Sequence, residues 1–172
     1  MPSKLLWLDL EMTGLDVDKE VIIEVAAIVT DYNFMTLDRY HSVVMQPQKY
    51  LDGMDEWNTK HHGMSGLTQK VPNGKPPEQV EQELSDLIKR NFTDEPATLA
   101  GNSIGQDRFF LKVHFKAVEK LLHYRMLDVS SWKIIFKEKF HFQFEKSNNH
   151  RALDDIQESI DELRCYIDHI KI

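Results

Sequence analysis

The feature that most constrains the fold is residues 20–31 (EVIIEVAAIVTD), a long β-branched and largely apolar run. Such residues suit a pleated, buried strand. Residues 4–8 (KLLWL) form a second, shorter apolar run that reads as a buried strand, and residues 34–45 a third candidate, reached after only Tyr32-Asn33. This order predicts an antiparallel start to a sheet. Polar, Pro/Gly-punctuated loops are expected around 46–55 and 70–77. Pro76-Pro77 then opens a helix with Val80, Leu84, Leu87 and Ile88 on one face.

The remainder alternates. Residues 98–101 read as a short strand, 104–123 as helix in two pieces, and 126–129 as a strand. Ser130 is the expected N-cap of a helix through Lys139. A last helix over 151–170 carries Leu153, Ile156, Ile160, Leu163, Ile167 and Ile170 three and four apart. The pattern predicts an α/β fold, a mixed sheet with helices on its faces, forming one domain over residues 1–172.

Composition narrows the function. A single cysteine, Cys165, excludes an internal disulfide and a thiolate zinc cluster. The net charge of −7 argues against a chain that grips long duplex nucleic acid through a basic face. The charge is uneven, however: residues 108–151 carry ten basic and four acidic side chains, the region best placed to face phosphate. No apolar run approaches the ~20 residues of a membrane span. The first residues lack the pattern of a signal or transit peptide. Cytoplasm is the expected location, a mitochondrial form being the alternative.

Four places bear chemistry. Asp9 and Glu11 stand two apart at a strand end, so both project to one side. Paired carboxylates repel unless a proton or cation lies between them, and hard divalent ions take such oxygen ligands. Taken alone, two solvated acids at a strand end explain the pair slightly better. Asp107 lies in the first turn of a helix after Gly101-Asn102-Ser103, where capping chemistry and phosphate binding are equally natural. His150 precedes the last helix, and Asp155 lies in its first turn; a histidine there can take a proton from water at neutral pH. Trp57, in the polar stretch DEWNTKHH, is explained either by stacking on a base or by partial burial against the sheet.

Together D-x-E-x-T-G-L, N-S-I-x-x-D and H-x-x-x-x-D resemble the signature of DEDDh-type 3′→5′ exonucleases. The blocks DLEMTGLD, MDEWNTKHHGMSGLT, GNSIGQDR, YRMLDVSS and HRALDDIQESIDEL resemble, in order, those of the oligoribonuclease family. The resemblance implies a ribonuclease H-like mixed five-stranded sheet flanked by helices on both faces. It implies that Asp9, Glu11, Asp107 and Asp155 hold two Mg²⁺ or Mn²⁺ ions and that His150 is the general base. Leu15 is implied as a wedge between two bases, and Trp57 and His62 as base-side contacts. Ser103, Arg125 and Ser130 would cap the 5′ phosphate of a dinucleotide, with Tyr124 reaching in from the partner in a homodimer. The implied activity is 3′→5′ hydrolysis of very short RNA, dinucleotides especially, to nucleoside 5′-monophosphates.

One segment departs from the family. Before His150 the stretch KFHFQFEKSNN is shorter and more aromatic than is usual in bacterial members. Phe136, Phe140, Phe142 and Phe144 then belong either to a dimer interface or, more simply, to the cover of the sheet. Two rival functions remain: a proofreading-type exonuclease on longer single strands, and an inert ribonuclease H-like interaction module. The Tyr124-Arg125 block speaks against the first, and the complete carboxylate set against the second.

Overall fold

The computed structural model describes residues 4–145 and 152–170. Its strands are β1 (Lys4–Met12), β2 (Ile22–Asp31), β3 (Thr36–Val43), β4 (Ala97–Gly101) and β5 (Leu122–Asp128). They form one sheet in the order β3-β2-β1-β4-β5. The β1–β2 and β2–β3 pairs are antiparallel, whereas β1–β4 and β4–β5 are parallel. Three helices follow β3: α1 (Gln48–Asp52), α2 (Glu56–Met64) and α3 (Leu67–Lys70). Then come α4 (Pro77–Asn91), α5 (Ile104–His114), α6 (Lys116–Glu119), α7 (Val129–Phe140) and α8 (Ala152–Ile170). No described helix is long and apolar enough to cross a membrane.

Strand alternation divides the core. Leu6, Leu8 and Leu10 of β1 share a cluster with Val80, Leu84 and Leu87 of α4 and Phe110 of α5. Leu5 and Trp7 share the opposite cluster with Phe136 of α7 and Ile156, Ile160 and Leu163 of α8. The buried indole of Trp7 donates to Thr30 Oγ1 at 3.0 Å, so its polar edge is satisfied inside. Asp9 and Glu11 continue the parity of Leu5 and Trp7, which sends their carboxylates toward α8.

The mixed sheet and its two helix layers are as expected, but several boundaries move. β1 continues past Leu8 to Met12 because β2 pairs it throughout, ending in Glu11 opposite Glu24 and Met12 opposite Ile22. β3 starts at Thr36, since Asp31 Oδ1 accepts from the N–H groups of Asn33 and Met35 and closes a turn first. The 104–123 helix breaks at Phe115, and His123 belongs to β5. β5 begins at Leu122, four residues before the expected start, so Tyr124 and Arg125 stand on an edge strand.

Ser130 is not the N-cap of α7. Asp128 holds that position, its carboxylate accepting from Ser130 N at 2.9 Å. The expected loop at 46–55 contains α1, and the one at 70–77 contains a 3₁₀ turn, Val71–Asn73. Phe136 is buried against Tyr166, and Phe142 and Phe144 pack beside it, so these three cover the α8 layer. Phe140 stacks on Phe136 and remains 43% exposed.

Candidate active site

β1 and β4 run together only from Leu5 to Trp7. Beyond that point the two strands no longer pair, at the carboxyl ends where α/β sheets place ligands. Gly101 ends β4 so close to β1 that a Cβ there would lie 2.9 Å from the Leu8 carbonyl oxygen. From the first turn of α5, Asp107 Oδ1 accepts from Leu10 N at 2.9 Å. Asp9, Glu11 and, from the start of α8, Asp155 each present an oxygen within 4.8 Å of the others. The fold thus brings together all four carboxylates singled out in the sequence.

Their electrostatics are those of acids crowded together away from water. Burial pushes Asp9 well above the usual carboxylate range, and Glu11, Asp107 and Asp155 push it further. Glu11 rises to about 8, through burial first and then through Glu24, Asp155 and Asp107. Asp107 rises to about 7, burial outweighing the Leu10 hydrogen bond. The donors are all hard oxygens and their mutual repulsion is offset by a divalent cation, so the set fits one. Glu24 is the contributor that motif reading missed. It faces Glu11 across the β1–β2 ladder and meets His41 Nε2 at 2.8 Å. Its signal was a carboxylate inside an apolar strand run.

The loop after β1 is anchored by Thr13, which is buried. Thr13 N donates to Val21 O at 3.0 Å, its hydroxyl donates to Glu20, and Val21 N donates back to Thr13 Oγ1. Gln106 Nε2 reaches from α5 to the Leu15 carbonyl at 3.0 Å. These ties hold a turn that leaves the Leu15 side chain 72% exposed. Helix α2 went unread because it has no apolar stripe; its buried residues are Asn58 and His62. Asp55 starts it by accepting from Asn58 N at 2.7 Å.

Trp57 is 67% exposed and stacked on His61, with ring centroids 4.6 Å apart. That removes partial burial as the reason for its presence. His62 is 1% exposed, and its Nε2 meets the Met12 carbonyl at 2.9 Å. A carbonyl only accepts, so Nε2 carries the proton and Nδ1 turns a lone pair toward Glu11, 3.8 Å away. Burial lowers the pKa of His62, which keeps the ring neutral. A cavity of about 300 Å³ opens here, lined by Glu11, Glu24, His41, His62, Lys70 and Asp154 among others.

At the carboxyl ends of β4 and β5, Ser103 Oγ and Ser130 Oγ lie 3.1 Å apart. Ser103 takes the left-handed conformation (φ 52°), which for a residue with a Cβ costs roughly 1–2 kcal/mol. Its N–H is held by both Asp128 Oδ1 (3.0 Å) and Ser130 Oγ (2.9 Å). Tyr124, 72% exposed, packs under the Arg125 guanidinium on β5. Arg108, next to Asp107, donates to the carbonyls of His123 and Tyr124 and binds Glu119, fixing that strand to α5. His150 lies outside the described residues.

Comparison with known proteins agrees with this arrangement. The family model RNase_T, described as an exonuclease, matches residues 6–163. The chain is 46% identical to an oligoribonuclease of Pseudomonas aeruginosa over 173 residues, spanning 98% of this chain and 96% of that protein. It is 44% identical to one of Francisella tularensis subsp. tularensis, spanning 95% and 94%.

Among solved structures, exonuclease I of E. coli, zinc-bound with single-stranded DNA, superposes with a TM-score of 0.76 at 14% identity. Exonuclease I of Methylocaldum szegediense gives 0.75 at 13%. Each covers 99% of this chain, which spans only 42% and 41% of those longer proteins, so they share its fold. With two relatives above 40% identity along nearly their whole length, and the acidic cluster where the motifs place it, the chain belongs to the oligoribonuclease family of exonucleases.

Proposed function

We propose that this chain is a metal-dependent exoribonuclease that hydrolyses very short RNA from the 3′ end, dinucleotides above all, to nucleoside 5′-monophosphates. The observation that carries the reading is the convergence of Asp9, Glu11 and Asp155, with Asp107 beside them, in a chain of this family. Asp9, Glu11, Asp107 and Asp155 hold two divalent ions, Mg²⁺ or Mn²⁺. When bound, such ions activate water and stabilise the charge that develops on the phosphodiester oxygens. His150 takes the proton from the attacking water.

The neighbouring residues bind and orient the substrate. Leu15, exposed on its anchored turn, separates the two bases. Trp57 offers a flat ring for stacking, worth about 1–3 kcal/mol per base. His62 presents an unprotonated Nδ1 beside Glu11 and can accept from a substrate donor. Ser103, Ser130 and Arg125 close on the 5′ phosphate, which the planar guanidinium binds bidentately. A closed 5′ end leaves no path for a longer chain.

The cap requires a second copy of the chain, supplying Tyr124. Support comes from the edge strand β5, which leaves one side of its backbone unpaired in the sheet. On it the side chains of Tyr124 and Met126 are exposed, as is Phe109 on the adjoining α5. A surface of that kind marks an interaction site. Subunit mixing tests this. Tyr124→Ala and Asp9→Asn are each expected to be nearly inactive alone, and their mixture to regain activity, because a mixed dimer has one intact site. A mixture no more active than its components would rule out a shared site.

A further inference from the structure

A hydrogen-bond chain runs from the buried middle of α8 out to the two serines. Glu162 is 0% exposed. Tyr166 Oη donates to its Oε1 at 2.7 Å, and Asn102 Nδ2 donates to its Oε2 at 3.1 Å. Asn102 Nδ2 also donates to Ser159 Oγ at 2.8 Å, whose own proton goes to the Asp155 carbonyl at 2.9 Å. A carboxylate has no donor to return, so Glu162 fixes the Asn102 amide with its NH₂ inward and its Oδ1 toward Ser130. Ser130 Oγ donates to that Oδ1 at 3.3 Å.

The consequence is directional. A hydroxyl carries one proton, and that of Ser130 is committed to Asn102. Ser130 Oγ therefore only accepts from Ser103, both from its N–H at 2.9 Å and from its hydroxyl at 3.1 Å. Of the two hydroxyl protons, that of Ser103 alone is free to turn to a ligand without breaking the chain. The same acceptor holds the strained backbone of Ser103 in place.

We propose that Asn102, anchored by Glu162, is a positioning residue that sets the polarity of this relay, making Ser103 the hydroxyl donor to the substrate's 5′ phosphate and Ser130 its orienting acceptor. The proposal rests on the reading of this end of the pocket as the phosphate cap, and within it assigns the direct contact to Ser103. Through Ser159, Asn102 also joins the phosphate end of the pocket to the turn of α8 that bears Asp155. Networks of this kind rigidify a site when every member is satisfied.

The test compares kcat/KM for a diribonucleotide with a 5′ phosphate against the same dinucleotide with a 5′ hydroxyl, in the full-length protein with Mg²⁺. Asn102→Ala is expected to lower the ratio of the two about tenfold, through KM of the phosphorylated substrate. A Ser103→Ala, Ser130→Ala double-mutant cycle gives a second reading, at one exposed and one half-buried position. Because Ser130 acts through Ser103, Ser130→Ala is expected to add little in the Ser103→Ala background. Multiplicative losses would mean two independent phosphate contacts and would overturn the relay. So would Asn102→Ala lowering both substrates equally, as a merely structural residue would. A wild-type ratio near one would instead remove the phosphate cap on which the relay rests, a separate and recognisable failure.

Discussion

Asp9→Asn is expected to lower kcat by about a thousandfold, roughly 4 kcal/mol of transition-state stabilisation, while raising the melting temperature of the metal-free protein at pH 8. The two effects share one cause. Asp9 is half-buried among Glu11, Asp107, Asp155 and Glu24, and its ionised form is disfavoured by desolvation first and by those neighbours next. An amide keeps the shape and carries neither the disfavoured charge nor the cost of protonating it, so the fold gains in chelator. The same change removes a hard anionic ligand, so catalysis loses. Steady-state kinetics and thermal melts with chelator measure both. Loss of activity with an equal loss of stability would instead indicate a residue that holds the fold.

The second large effect is on stability against pH. Glu11 and Asp107 have folded-state values of about 8 and about 7, above those of ordinary exposed carboxylates. The native state thus holds more protons than the unfolded chain between roughly pH 4 and 8, and stability falls as pH rises through that window. Without divalent ions, the melting temperature is expected to drop steadily from about pH 5 to 8. Mg²⁺ is expected to restore it, with the largest gain at the alkaline end, because a ligand that binds only the folded state stabilises it by mass action. Melting curves at several pH values, with Mg²⁺ and with chelator, check this. A flat chelator series would contradict the electrostatic account of the site.

Much of this was legible in the sequence because it was carried by periodicity or by local motif. The buried stripe of α4 falls on the anticipated residues, and in α8 Ile156, Ile160 and Leu163 are buried as expected, whereas Leu153 and Ile167 are half-buried and Ile170 is exposed. The pairing of Asp9 with Glu11 follows from strand alternation alone. What escaped was set by contacts distant in the chain. Helix α2 buries Asn58 and His62 rather than an apolar stripe, so its pattern was silent. β5 reaches back to Leu122 because Ala97 pairs with it there, a partner twenty-five residues away. Ser130 looked like a cap because of its type and place. Yet Asp128 takes that role, and the Ser130 hydroxyl turns to Asn102. Glu24 lies outside every quoted block, and Glu162, though inside HRALDDIQESIDEL, is not among the motif carboxylates; only the fold sets one beside Glu11 and the other beneath Asn102.

Substrate length is the central claim, and a series of 5′-phosphorylated oligoribonucleotides from two to ten residues with Mg²⁺ tests it most directly. A pocket closed at the 5′ phosphate is expected to favour the dinucleotide by about a hundredfold, the scale of one or two lost charge-assisted phosphate contacts. Nucleoside 5′-monophosphates should be the only products. Equal rates from two residues to ten would leave the carboxylate chemistry standing and contradict the closed pocket, in favour of an exonuclease of longer strands.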